Sequence, residues 1–156
     1  MKSNLVSKSE TADILASASE DWGITIPKIK NLMVYEIDSE SQVIVGGSTR
    51  MIKTDGAYLP FLSDVETLAR FPSVTVDMGA VKFVCKGADI MRPGITGSTD
   101  FESGGIVCVI EESQKKFLAV GRALVGSSEM DGMEKGQIIR NIHYISDKFW
   151  QAAKSV

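Results

Sequence analysis

Hydrophobic residues near the start of the chain recur at spacings of three and four, the period of an amphipathic helix. The residues with this spacing are Ile14, Leu15, Ala18 and Trp22. Ser7 and Glu10 stand three residues apart just before them, which is the spacing of a capping box at a helix start. Gly23, a residue type that commonly ends helices, follows the last apolar position. The pattern therefore predicts a helix that begins after Ser7 and ends near Trp22.

Short runs rich in β-branched and aromatic residues follow this helix, and turn-forming residues separate them. They predict strands over residues 32–37, 42–45, 49–52 and 57–61. Ser63 and Glu66 repeat the capping-box spacing and predict a second helix, which Pro72 must end because proline cannot continue a helix. Residues 1–72 are thus predicted to form a small α+β domain.

The pattern changes at Ser73 to short strands joined by glycine-rich turns. The predicted strands are residues 73–77, 90–91, 106–110, 117–125 and 137–142. Closely spaced short strands of this kind are typical of a small barrel. Residues 73–156 are therefore predicted to form a second domain, and we expect them to fold without the first.

Short helical and turn segments interrupt these strands. Asp77 can cap a helix over residues 78–86, and Gly87 can end it in a left-handed conformation. Pro93 and Gly94 have the residue types of a type II turn. Residues 97–105 are predicted to be a polar loop, and a helical turn is predicted over residues 128–133.

Composition narrows the class of protein. The 156 residues carry 17 basic and 20 acidic side chains, with 44% hydrophobic residues, as in ordinary globular proteins. Cys85 and Cys108 are too few for a disulfide scaffold, and with the single histidine, His143, they cannot form a Cys/His zinc site. We expect both thiols to be buried and reduced, in a cytoplasmic protein without a membrane segment.

Charge is distributed unevenly between the two predicted domains. Residues 1–72 contain 7 basic and 10 acidic side chains, whereas residues 73–156 contain 10 of each. Neither domain is a polybasic nucleic-acid-binding tail, and we expect no DNA binding. Binding to RNA phosphates would require a local cluster of cations.

No residue set typical of catalysis is present. A Ser-His-Asp or Cys-His arrangement would have to use His143, which lies in a strand-like run and is predicted to be a partly buried imidazole with a backbone hydrogen bond. The glycine clusters at 45–49 and 126–136 match neither the P-loop nor the dinucleotide-binding pattern. We therefore expect no enzymatic activity, no cofactor and no metal ion.

One cluster of cations lies beside a glycine-rich segment. Lys82 and Lys86 are four residues apart, so they share one face of the predicted short helix, and Arg92 follows in the loop from Gly87 to Gly94. Such a loop can bring backbone groups close to a nucleotide while the cations hold its phosphates. The alternative is purely structural, because Lys86 also suits the negative end of a helix dipole and glycines serve tight turns. The spacing alone does not decide between them.

The same region resembles a known RNA-binding module. Residues 73–150 resemble a PUA domain, named for pseudouridine synthases and archaeosine transglycosylases, through the segments 76–95, 118–123, 135–136, 142–144 and 147–150. In addition, the segments 55–61 and 70–72 resemble the region that precedes the PUA domain in the malignant T-cell amplified sequence family, which has archaeal and eukaryotic members.

This resemblance implies an α+β protein whose N-terminal α+β domain precedes a PUA-type pseudo-barrel of short strands and short helices. It also implies translation-associated RNA binding, with the PUA domain near the tRNA acceptor end at the small ribosomal subunit, in initiation, reinitiation or recycling. The implied ligands are structured RNAs, namely the tRNA 3' end and rRNA, and the implied protein partner is similar to density-regulated protein. The RNA-binding residues that it implies are Lys82, Lys86, Gly87, Ala88, Asp89, Met91, Arg92, Pro93, Gly94, Gly121 and Arg122.

Two other functions remain open at this point. The chain could be a separate specificity subunit that presents RNA to a tRNA- or rRNA-modifying enzyme. It could also be a protein-binding adaptor whose PUA fold no longer contacts RNA, an interpretation that the zero net charge of residues 73–156 allows.

Overall fold

Two β-sheets organise the chain, which a computed structural model describes over residues 1–156. The first sheet has the strand order β1-β2-β3-β4-β5, and each strand pairs antiparallel with its neighbour along the chain. Its elements are β1 (Lys2–Leu5), α1 (Lys8–Trp22), β2 (Met33–Asp38), β3 (Ser41–Gly46), β4 (Thr49–Thr54), β5 (Ala57–Pro60) and α2 (Val65–Leu68).

The predicted first helix is confirmed, including both of its ends. The Ser7 hydroxyl accepts a hydrogen bond from the backbone N–H of Glu10 at 3.1 Å, and Gly23 ends the helix with φ at 69°. The buried face of α1 packs on the first sheet and consists of Thr11, Leu15, Ala18 and Trp22. The indole N–H of Trp22 donates to the Tyr58 carbonyl at 2.9 Å, which joins α1 to β5.

Two local features of this half differ from the prediction. Asp64, not Ser63, caps the second helix, because its carboxylate accepts from the Thr67 N–H and hydroxyl, at 3.4 and 2.8 Å. Strand β1 (Lys2–Leu5) was not predicted. All four of its side chains are exposed, so no apolar alternation marks it, and it is held by backbone pairing with β2.

The second sheet forms a nearly closed barrel with the strand order β7-β11-β10-β9-β6-β8. Strand β6 pairs parallel with β9, and every other pair is antiparallel. Its elements are β6 (Ser73–Val76), α3 (Val81–Val84), β7 (Ile90–Met91), β8 (Ile95–Ser98), β9 (Ile106–Glu111), β10 (Phe117–Ala123), α4 (Ser127–Asp131), β11 (Gln137–Tyr144) and α5 (Lys148–Ala153). The expected α+β class with a C-terminal barrel is confirmed.

Three predictions in this half need correction. The prediction of a type II turn at Pro93-Gly94 is wrong. Residues 92–94 form a turn of 3₁₀-helix, and Gly94 lacks the positive φ that a type II turn requires. Strand β8 occupies part of the predicted loop, where a single buried residue out of four leaves no alternation to detect. The short helix ends at Val84, two residues before Lys86.

Each sheet has its own hydrophobic core, and the first core extends into the second half of the chain. The second core contains 14 buried residues, all between positions 74 and 139. The first contains 20, of which four come from the barrel: Ile106, Cys108, Val120 and Phe149. The two units therefore share an apolar interface as well as a peptide link.

Polar contacts cross the same interface. His143 is fully buried, deeper than predicted; its Nε2 accepts from the Leu62 N–H at 3.1 Å and its Nδ1 lies 2.8 Å from Asp147. Two ion pairs lie nearer the surface, between Lys148 and Asp38 at 3.0 Å and between Arg122 and Asp21 at 2.6 Å. None of the helices combines the length and the apolarity that a membrane crossing requires.

Candidate functional site

The glycine-rich segment and the short helix before it enclose a groove on the barrel. Asp77 accepts a hydrogen bond from the Ala80 N–H at 2.9 Å and starts a 3₁₀ turn that continues into α3. The chain then turns back at Gly87, where φ is +93°, and runs towards Gly94. The groove has a volume of about 420 Å³. Five predicted site residues line it: Ala88, Asp89, Met91, Pro93 and Gly94.

Strand β11 holds the loop in place through two polar side chains. Asp89 accepts from the backbone N–H of Asn141 at 3.0 Å and from the side chain of Gln137 at 3.3 Å. The Asn141 amide donates to the carbonyls of Val84 and Ala88 at 3.1 and 3.0 Å. The Asp89 carboxylate is thus occupied in bracing the loop. Asn141 was missed, and no local signal marks it, because its strand also contains the polar residues Gln137, Arg140 and His143.

Two predicted site glycines are required by their surroundings. A Cβ at Gly87 would lie 3.0 Å from the Tyr144 ring and would also be strained by the positive φ. A Cβ at Gly121 would overlap the carbonyl oxygen of Arg140 on β11, at the bulge in β10. Gly87 therefore shapes the loop beside the groove, whereas Gly121 lies at a tight strand pairing and does not line the groove.

The four predicted cations divide into two pairs. Lys82 and Lys86 are exposed and make no ion pair. Arg92 donates from Nε to the carbonyls of Met130 and Met133, at 2.9 and 3.1 Å. Both Arg122 terminal nitrogens bond the Asp21 carboxylate on α1, so this side chain points to the first unit. Only the two lysines are left as free cations beside the groove.

Exposed apolar side chains beside these lysines were not predicted. Phe83 is 55% exposed and Met91 46% exposed, and both line the groove. The Lys82 ammonium lies 5.1 Å from the centre of the Phe83 ring, so a cation and an aromatic face are presented together. The signal was available, since a helix this short cannot bury Val81, Phe83 and Val84 on one side.

The remaining chemically active side chains are occupied or shielded. Burial raises the pKa of the Cys108 thiol to about 12. Desolvation also raises the pKa of Cys85, but this side chain is only half-buried, so the prediction that it is buried needs correction. Both ring nitrogens of His143 face partners within the protein. No three side chains of the types His, Cys, Asp and Glu are arranged to bind a metal ion.

Comparison with known sequences places this geometry in context. The family model described as PUA domain matches residues 72–145. Uncharacterized protein MJ1432 of Methanocaldococcus jannaschii is 35% identical over 127 residues, 80% of this chain and 78% of that protein. Translation machinery-associated protein 20 of Saccharomyces cerevisiae is 31% identical over 134 residues, 80% and 74% of the two chains. Malignant T-cell-amplified sequence 2 of Mus musculus is 35% identical over 99 residues, which are 58% of this chain and 55% of that protein.

Solved structures share the whole fold. A hypothetical protein, PH0734.1, from Pyrococcus horikoshii superposes with a TM-score of 0.80 at 27% identity, covering 97% of this chain and 99% of its own. A conserved PUA domain protein from Thermoplasma acidophilum superposes with a TM-score of 0.76, with the same identity and coverage. Both similarities extend across the two units, so the combination of N-terminal sheet and C-terminal barrel is common to these proteins.

Proposed function

Because this chain belongs to the family of PUA-domain proteins that includes translation machinery-associated protein 20 and the malignant T-cell-amplified sequences, we propose that it is a translation-associated RNA-binding protein. Its proposed ligands are the acceptor end of tRNA and the small ribosomal subunit, during initiation, reinitiation or recycling. It binds RNA and carries out no chemistry on it. A partner similar to density-regulated protein is part of the same proposal, and co-purification with the tagged protein tests it.

One observation carries the RNA-binding proposal: the exposed Phe83 ring, with the Lys82 ammonium beside it, at a groove that the glycine-rich loop lines. An unpaired nucleobase can stack on an aromatic ring, and a cation next to that ring can hold the adjoining phosphate. Lys86 adds a second free cation on the same segment. The groove therefore favours a single-stranded RNA end, whose bases are accessible, over a duplex.

The proposal is tested by titrating the full chain with a labelled acceptor-stem hairpin that carries a single-stranded CCA end, at several salt concentrations. Each phosphate contact contributes about 0.7 to the salt slope on single strands, so the double variant Lys82→Glu/Lys86→Glu should lower the slope by roughly 1.4. Phe83→Ala should weaken binding by roughly tenfold at every salt concentration, because stacking on an aromatic side chain contributes about 1–3 kcal/mol per base.

A matched control separates a specific surface from general electrostatics. Lys2→Glu/Lys154→Glu changes the net charge by the same amount at two exposed lysines outside the groove. We expect its affinity and salt slope to match those of the unchanged protein. Equal losses from both double variants, or equal binding to a hairpin without the CCA end, would contradict the proposed site.

Crosslinking in cells distinguishes the proposed role from its alternatives. Recovery of tRNA 3' ends together with small-subunit rRNA supports a role in translation. Recovery of one modified RNA would instead support a specificity subunit for a modifying enzyme, and recovery of background RNA alone would indicate an adaptor that does not contact RNA.

A further inference from the structure

A second groove lies on the N-terminal unit, between α1 and the segment of residues 26–30 that follows it. Its volume is about 640 Å³, larger than that of the groove beside Gly87. Most of its lining is apolar and comes from both walls: Ala12, Leu15, Ala16, Ile26 and Ile29. The function proposed above does not use this surface.

The groove is preformed, because hydrogen bonds join its two walls. The backbone N–H of Ile26 donates to the Ser19 hydroxyl at 3.4 Å, and the N–H of Leu32 donates to the Thr11 hydroxyl at 3.1 Å. The Asn31 side chain donates to the Val6 carbonyl at 2.8 Å, just before α1 begins. A ligand would therefore find the site already built, which lowers the entropic cost of binding.

The edge of the groove is basic although the unit around it is acidic. Lys8, Lys28 and Lys30 line the groove, all three are exposed, and none makes an ion pair. No Asp or Glu lines the groove, whereas acidic side chains outnumber basic ones by 10 to 7 over residues 1–72. The three lysines thus form a local positive edge around an apolar floor.

The character of the floor favours a peptide over RNA. No aromatic side chain lines the groove, so a nucleobase would have no ring on which to stack. Ala12 and Ala16 are exposed one turn apart on α1, and their small side chains leave room for the larger apolar side chains of a ligand.

We propose that this groove binds an acidic, amphipathic helical segment of a protein partner. The apolar face of the segment lies on the floor that Ala12, Ala16 and Ile29 form, and its Asp and Glu side chains meet Lys8, Lys28 and Lys30. The site is separate from the RNA-binding groove, and the inference does not depend on RNA binding.

Fluorescence anisotropy with the full chain tests the proposal. The probe is a labelled synthetic peptide of about 18 residues, five helical turns, with Leu at positions i, i+3, i+4 and i+7 and Glu on the flanking positions. We expect saturable binding that Lys28→Glu/Lys30→Glu weakens by at least about tenfold, because opposite charges at the edge become like charges. Ala16→Gln, which fills the floor and keeps a good helix-forming residue, should weaken binding by a similar factor.

Controls address charge, folding and the alternative ligands. Lys2→Glu/Lys154→Glu should leave peptide binding unchanged, and a peptide with Lys in place of Glu should not bind the unchanged protein. Circular dichroism melts check that each variant folds. If the double lysine variant does not fold, the Ala16→Gln result decides the matter.

Three results would overturn the proposal. The first is the absence of saturable peptide binding, or equal binding by all variants. The second is a loss of CCA-hairpin affinity in Lys28→Glu/Lys30→Glu as large as the loss in Lys82→Glu/Lys86→Glu, which would assign these lysines to RNA. The third is a concentration-dependent dimer that size-exclusion chromatography detects and that Ala16→Gln abolishes. In that case the occupant of the groove would be a second copy of this chain. Failure of the hairpin titration alone would leave the peptide result standing.

Discussion

Replacing His143 by phenylalanine removes one buried polar contact between the two units, the hydrogen bond from the Leu62 N–H, and keeps an aromatic ring at the same place. The imidazole lies 5.0 Å from the Phe61 ring and 5.7 Å from the Phe149 ring, centre to centre, so this apolar environment can accept a phenyl group. The substitution deletes the acceptor of the Leu62 N–H and the group that bonds Asp147. The structural question is how much stability these two hydrogen bonds contribute.

The magnitude follows from what each partner retains. The Leu62 N–H is left buried without an acceptor, which costs about 1–3 kcal/mol. Asp147 keeps two donors, the N–H groups of Tyr144 and Trp150 at 2.9 and 2.8 Å, so its loss is smaller. Greater burial of apolar surface by the phenyl ring offsets about 1 kcal/mol. Because this gain and the smaller loss at Asp147 nearly cancel, we expect His143→Phe to lower the free energy of unfolding by roughly 1–3 kcal/mol.

Urea unfolding followed by tryptophan fluorescence measures this change, because Trp22 lies in the first unit and Trp150 in the second. His143→Gln is the matched control. Its side-chain carbonyl can reach the position of Nε2 and accept from Leu62, so we expect about half the loss seen with phenylalanine. A loss below about 1 kcal/mol for His143→Phe, or a glutamine variant less stable than the phenylalanine variant, would refute the argument.

Three further predictions follow from burial and charge. At pH 8 a thiol reagent should label the half-buried Cys85 in the native protein. It should reach Cys108 only after unfolding, because burial raises the pKa of that thiol to about 12. Labelling of both thiols in the native protein would contradict this prediction. The pKa of Asp38 is lowered from 3.8 to about 2 by a hydrogen bond from a backbone N–H in the adjacent turn and by the Lys148 ammonium. The ionised Asp38 carboxylate therefore stabilises the fold fully above about pH 4, and this stabilisation is lost as the pH falls towards 2. In Lys148→Met, NMR titration should find this pKa raised but still below 3.8; an unchanged pKa would show that the ion pair has no effect. A fragment of residues 73–156 should give dispersed amide NMR spectra, because the 14-residue second core lies wholly within it. Its melting temperature should be lower than that of the full chain, because it lacks the first core. A collapsed spectrum would show that the fragment cannot fold alone.

Features that depend on neighbouring residues could be predicted from the sequence. The Ser7 and Asp77 side chains cap N–H groups three residues away, and Gly87 adopts the left-handed conformation expected after the short helix. Such interactions form within one turn of chain, so a short window of sequence contains both partners. The apolar runs of the main strands were detected for the same reason, and the glycine-rich loop was located correctly beside Lys82 and Lys86.

Tertiary structure alone decided which of the candidate side chains remain free. Arg122 meets Asp21 across 101 residues, and His143 meets Leu62 across 81, so neither pairing is visible in any local pattern. Packing likewise left Phe83 exposed although its residue type suits a core. The physical reason is that a charge or a ring is satisfied by whatever the fold brings within a few ångströms, and those neighbours are set by how the two units pack together.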